Sequence, residues 1–220
     1  FEINKKFSKY KEMLHKMVNK GDKIAMGYLG CIYALDNDFD NASKFFELGA
    51  SQKDVSSCEA LYYLYMNEFM EKEIPEKYVD KKRALTYGKQ ATALGHADIA
   101  NKMGVIYDEG KIVPKDMTEA IKYYEIAVSY GNTFACNNLA SCYRDGNGVE
   151  QNYEKAVELY KKAAEQGYAG AQNELGVLLF RGDGVEQDYN LALHWFELAA
   201  SNGNEVAKEN VDETRRKINE

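Results

Sequence analysis

The sequence contains no C-x-x-C pair and no cysteine–histidine cluster at zinc-binding spacing, so it indicates neither a structural zinc site nor a redox dithiol. Its four cysteines, Cys31, Cys58, Cys136 and Cys142, read as small apolar residues. No apolar run approaches the roughly 18 residues of a membrane span, so membrane insertion is not expected. A basic footprint is also missing. Net charge is −7, and it divides as +4 over residues 1–20, −10 over 21–203 and −1 over 204–220. An acidic body argues against a duplex nucleic-acid partner. It suits a basic peptide or a protein with a basic patch, and it also serves plain solubility.

Catalytic vocabulary is equally sparse. His15, His96 and His194 stand apart, and none belongs to H-E-x-x-H. Ser8-Lys9-Tyr10-Lys11 matches S-x-x-K, but without the K-T-G or S-D-N that accompany it in serine–lysine nucleophile sites. No carboxylate pair can be singled out as acid and base. The reading is therefore a non-enzyme with no cofactor and no metal. The chain opens at Phe1, which reads as a processed or trimmed piece and leaves the compartment open between cytoplasm, periplasm and secretion.

What the sequence does have is a phrase written twice. YRDGNGVEQNYEKA at 143–156 returns as LFRGDGVEQDYNLA at 179–192, thirty-six residues on. Three gapless units of that length, 96–131, 132–167 and 168–203, follow two irregular ones, 22–53 and 54–95. The first irregular unit is about four residues short and the second about six long, in EKEIPEKYVD. A half-unit covers 204–220. Residues 1–21 precede the array.

Each unit carries two helical patterns. In the first, Ala25/Leu29/Tyr33, Ile99/Met103/Tyr107, Ala135/Leu139/Tyr143 and Ala171/Leu175/Leu179 form i, i+4, i+8 stripes. After the central residue comes Gly30, Gly104 or Gly176, with Ala140 in the remaining unit, and the recurring mid-helix glycine implies close approach of another backbone. The second pattern opens on Asp38, Asp80, Asp116, Asn152 or Asp188, each an N-cap type, with alanine four residues later. Gly95, Gly131, Gly167 and Gly203 close it. The twice-written phrase is then the turn between two helices. Gly146, Gly148, Gly182 and Gly184 turn the chain, and Val149 and Val185 fill the gap. DGNG and GDG lack the ligand alternation of a calcium loop and the GK[ST] of a phosphate loop.

With these positions in register, A-x-x-x-L-G-x-x-Y-x-x-G-x-G-V followed by D-Y-x-x-A-x-x-W/Y-F/Y-x-x-A-A-x-x-G resembles the SEL-one-like repeat, a cousin of the tetratricopeptide repeat. The likeness is strongest over 96–203. It implies an all-α solenoid of stacked helix–turn–helix units in a right-handed superhelix. It also implies an adaptor or scaffold role in protein complexes, with no catalytic residues. One exported branch of that family pairs cysteines in every repeat. Here Ala164 and Ala200 stand where the second-helix partners would be, so the disulfide-stapled branch does not fit.

The ends suit an array. Ile3, Phe7, Tyr10, Leu14 and Val18 share one face of a basic helix that would cap the first repeat, as solenoids require; a membrane-surface helix is the rival. Ala207 and Val211 give 204–220 a packing side. On the first helix of each unit, positions opposite the packing stripe would line the concave groove. They supply Glu59, Asn101, Asn137 and Asn173 in one row, Met66, Asp108, Arg144 and Phe180 in a second, and Tyr63 between them. The asparagines would hold an extended backbone or, alternatively, merely bond one another or water, and Tyr63, Arg144 and Phe180 would add specificity. The expected activity is binding of a protein or peptide. The alternatives are an immunity protein that neutralises a secreted toxin such as a lipase, and, last, a cell-wall-directed hydrolase.

Overall fold

A computed structural model describes residues 2–220, with side chains from Ser8 onward. These residues form twelve α-helices and one 3-10 turn, with no strand among them. The helices are α1 (Glu2–Val18), α2 (Lys23–Leu35), α3 (Phe39–Ser51), α4 (Val55–Met66), α5 (Lys81–Ala93), α6 (Ala97–Glu109), α7 (Met117–Ser129), α8 (Thr133–Asp145), α9 (Tyr153–Glu165), α10 (Ala169–Arg181), α11 (Tyr189–Ser201) and α12 (Glu205–Asn219). The chain divides into two compact units, one up to Met103 and one from Gly104 to Glu220. In the first, α1 packs on α2, α2 on α3, α3 on α4 and α4 on α5. The second runs the same way from α7 through α12. Within each unit successive helices thus pack on their chain neighbours, as in a solenoid.

The helix boundaries follow from single residues. Asp38, Asp80, Asp116, Asn152 and Asp188 each accept a hydrogen bond from a first-turn backbone N–H of α3, α5, α7, α9 and α11, at 2.9–3.1 Å. Such a cap contributes about 1 kcal/mol. At the other end Gly95, Gly131, Gly167 and Gly203 take φ between 83° and 92°. The first repeat has Lys53 in this place, at φ 59°.

The turns after α8 and α10 are built alike. Gly146 and Gly182 end the helices in the left-handed region. Gln151 Nε2 then reaches back to donate to the Arg144 carbonyl at 2.7 Å, and Gln187 Nε2 to that of Phe180 at 2.8 Å. These amides satisfy carbonyls that the helix end leaves open. A Cβ on Gly148 would stand 2.5 Å from Met117 Cβ, and one on Gly184 2.4 Å from the Tyr153 carbonyl carbon. The second glycine of each turn therefore seats the loop on the start of the preceding repeat's second helix.

Two expectations change. The mid-helix glycines face rings more than backbone. Phe46 fills the space beside Gly30, Tyr124 that beside Gly104 and Phe196 that beside Gly176; at Gly104 the Ala120 carbonyl also stands 3.1 Å away. The reason is the aromatic residue that each second helix places in register with the missing Cβ. The stripe of α1 is also rotated. Ile3 and Phe7 lie outside the described side chains. Tyr10 is 45% exposed, whereas Leu14 is buried with Met17 and Val18 against Ala25, Leu29 and Ile32. Lys11 and His15 complete that face. The Lys11 ammonium lies 3.7 Å from the Tyr33 ring centroid, and the His15 ring packs edge-on to Tyr33 and Phe45. A lysine stem and an imidazole can cover aromatic surface while their polar atoms find partners.

Candidate partner-binding surface

Among the described residues no group of three His, Cys, Asp or Glu is placed to hold a metal ion, and no helix is long and apolar enough to cross a membrane. Lys11 of the S-x-x-K match is turned toward Asp36, at 3.2 Å, while Ser8 is exposed. The four cysteines are free thiols. Burial pushes Cys58 and Cys142 up to about 11, which keeps them protonated and unreactive. His194 is exposed beside Trp195.

In the first unit, α4 carries Glu59, Tyr63 and Met66, all half-buried. Its other two tyrosines are core: Tyr62 is 1% exposed, and Tyr65 donates to Glu47 at 2.8 Å. Glu59 pairs with His96 at 3.1 Å, and this bond raises the imidazole above its ordinary value. Burial first, then the carboxylates of Glu59, Asp98 and Glu68, push the Tyr63 phenol up. Lys102 answers them, 3.5 Å from Glu68 and 5.3 Å from the Tyr63 ring centroid. Asn101 is half-buried on α6. Ala34, in register with Met66, is fully buried.

In the second unit, Asp108 accepts from the Tyr124 hydroxyl at 3.3 Å and from Lys115 at 3.2 Å. Arg144 is committed within the protein. It forms a fork to Asp145, with Nε–Oδ1 at 2.7 Å and Nη2–Oδ2 at 2.9 Å, and its Nη1 meets Glu174. The Asp145 carboxylate accordingly lies below its usual range, first through the Arg144 hydrogen bond. Asn137 is half-buried, whereas Asn173 is buried and its Oδ1 accepts from Asn210 Nδ2 of α12 at 2.8 Å. Phe180 packs on Tyr189 with centroids 5.1 Å apart. A polar hollow of about 640 Å³ collects Arg144, Asn173, Glu174, Tyr153, Arg181 and Asn210.

The structure thus gathers Arg144 and Asn173 at one hollow and places Glu59 and Tyr63 at another, between α2 and α4. Sequence reading missed Arg181 and Asn210 in the first, Met70 in the second, and Ile24 and Tyr28 in a neighbouring hollow that shares Cys31 and Ser56 with the second. The exposed apolar pair Ile24 and Tyr28 was a visible signal, since both stand off the packing stripe of α2.

Comparison with known proteins fits this architecture. The family model described as Sel1 repeat matches residues 97–132, 133–168 and 169–204, one residue later than the register read from the sequence. Among solved structures, c5321, a protective antigen of uropathogenic Escherichia coli strains displaying an SLR fold, is 29% identical with a TM-score of 0.78, over 91% of this chain and 43% of that one. A Sel1 repeat protein from Oxalobacter formigenes is 24% identical with a TM-score of 0.75, over 93% of this chain and 86% of that one. The chain spans less than half the length of the antigen. No curated protein matches its sequence.

Proposed function

The chain belongs to the Sel1 repeat family over residues 97–204, and from that premise we propose that it is a non-catalytic protein-interaction module whose first helices grip a protein or peptide. One observation carries this reading. Positions that build the repeat hardly vary from unit to unit, while one row opposite the packing stripe changes in each. The second-helix caps are always Asp or Asn, and the alanine after them is always buried, as at Ala42, Ala84, Ala120, Ala156 and Ala192. In contrast, one row opposite the stripe reads Met66, Asp108, Arg144, Phe180. A constant frame with a changing face is the arrangement that presents different contacts along an extended partner.

Glu59, Tyr63, Met66, Asn101, Asp108, Asn137, Arg144, Asn173 and Phe180 are the proposed contact set. Tyr63 and Arg144 are of the residue types that dominate interface energies. The acidic body favours a partner with a basic patch. The test is Asn137→Ala combined with Arg144→Ala, with the partner captured from the native cell and its affinity then measured by calorimetry. Binding should fall about tenfold or more, the scale of a lost hot spot, with helicity unchanged by circular dichroism. Equal affinity at equal helicity would sink the proposal.

A further inference from the structure

The first unit holds an apolar trough between α2 and α4. Ile24 and Tyr28 are 59% and 55% exposed on α2, and Met70 is 49% exposed after α4. Below them lie two hollows of about 340 and 400 Å³ that share Cys31 and Ser56. Ile24, Tyr28 and Phe46 line the first, and Ala60, Tyr63 and Phe69 the second. The shared residues join them into one surface, and each hollow is of the size that takes a small group of apolar atoms.

The two hollows differ in charge. No carboxylate but the N-capping Asp54 borders the first. Glu59 and Glu68 border the second, and with Asp98 they act together on Tyr63. Lys102 pairs with Glu68 and His96 with Glu59, so once His96 is neutral the two bordering carboxylates face a single ammonium. Burying a large apolar side chain in the first hollow takes its surface out of water. A cation brought to the second finds a net negative field over an aromatic ring, the setting that favours ammonium or guanidinium.

We infer that this trough takes a polypeptide segment with a large apolar side chain that seats beside Ile24 and Tyr28, and a lysine or arginine a few residues away that seats over Tyr63 between Glu59 and Glu68. The inference rests on the reading of the array as a polypeptide-binding module and assigns the half of it that reads side chains.

A phage-displayed library of random peptides, selected on the whole chain, tests it. The selected peptides are then synthesised and titrated into the unaltered protein and into Tyr28→Ser, Glu68→Lys and Arg144→Ala. The substituted side chains are exposed or half-exposed, so each variant is expected to fold. Selected peptides should combine an aromatic or aliphatic residue with Lys or Arg. They should weaken about tenfold or more on Tyr28→Ser and on Glu68→Lys, hot-spot losses in scale, and lose less on Arg144→Ala. They should also shield Cys31 from iodoacetamide, with the buried Cys58, Cys136 and Cys142 as internal controls. Peptides that bind all three variants equally would overturn the assignment. Peptides lost only on Arg144→Ala would overturn it and leave the proposed function standing, located in the second unit. Failure to select any peptide would remove both. Self-association that Tyr28→Ser abolishes would give the trough to a second copy of this chain and overturn the inference as well.

Discussion

The Tyr124 ring stands 2.5 Å from the place where Gly104 would carry a Cβ, and the Ala120 carbonyl oxygen 3.1 Å from it. Tyr124 is 2% exposed and cannot swing away. A helical glycine is normally worth replacing, since alanine is about 1 kcal/mol better in a helix interior. Here overpacking, typically about 1–3 kcal/mol, opposes that gain. Gly104→Ala is expected to lose stability by about 1 kcal/mol in urea unfolding, and Gly176→Ala to behave alike against Phe196. A gain in stability would show that the rings yield.

Lys53 gives the opposite sign. It holds φ 59° where the other repeats have glycine at 83–92°. A Cβ on Gly131, Gly167 or Gly203 would meet nothing within 4 Å, so glycine serves there for its backbone alone. The left-handed conformation costs a residue with a Cβ about 1–2 kcal/mol, and the greater freedom of glycine in the unfolded chain offsets part of that. Lys53→Gly is expected to raise the unfolding midpoint by about 0.5–1 kcal/mol in equivalent free energy.

Thr92 is buried on α5, and its hydroxyl has no hydrogen-bond partner. In register, the next repeat has Val128. Thr92→Val keeps the β-branched shape and removes an unsatisfied polar group, whose burial costs about 1–3 kcal/mol. Chemical denaturation should show a gain of about 1 kcal/mol; a loss would mean that the hydroxyl is bonded in solution.

His96 links stability to pH. The bond to Glu59 raises its folded value above 6.5. The protonated form is therefore favoured on folding, so its contribution is complete below the unfolded value and fades as pH rises through the folded one. The stability difference between the native chain and His96→Gln should be larger near pH 6 than near pH 8, on either side of the ordinary imidazole value of about 6.5. An equal difference at both would refute the pairing.

The features legible in the sequence were those settled by one residue and its own turn of backbone. Asp116 caps α7 because a short carboxylate reaches the next two or three N–H groups, whatever lies beyond. Gly167 ends α9 for an equally local reason. The rings beside Gly30, Gly104 and Gly176 were hidden, because periodicity gives the face of a helix but not which atom of its partner arrives there. The exposure of Tyr10 was hidden for the same cause: a stripe read off by one position looks equally regular. The surface was harder still. The bond from Asn210 to Asn173 joins residues 37 apart, and the Arg144–Glu174 pair spans 30. Such partners depend on how one repeat sits on the next, which no local pattern records.

The seating of Gly148 on Met117 and of Gly184 on Tyr153 has an engineering consequence. Met117 and Tyr153 are themselves one period apart, as are the two glycines, and each Sel1 repeat from 97 to 204 has 36 residues. Deleting residues 133–168 in frame would therefore bring Gly184 down onto Met117 and restore a joint the protein already contains. The array can be shortened by whole modules, whereas a cut of any other length would leave a turn with no ledge to rest on.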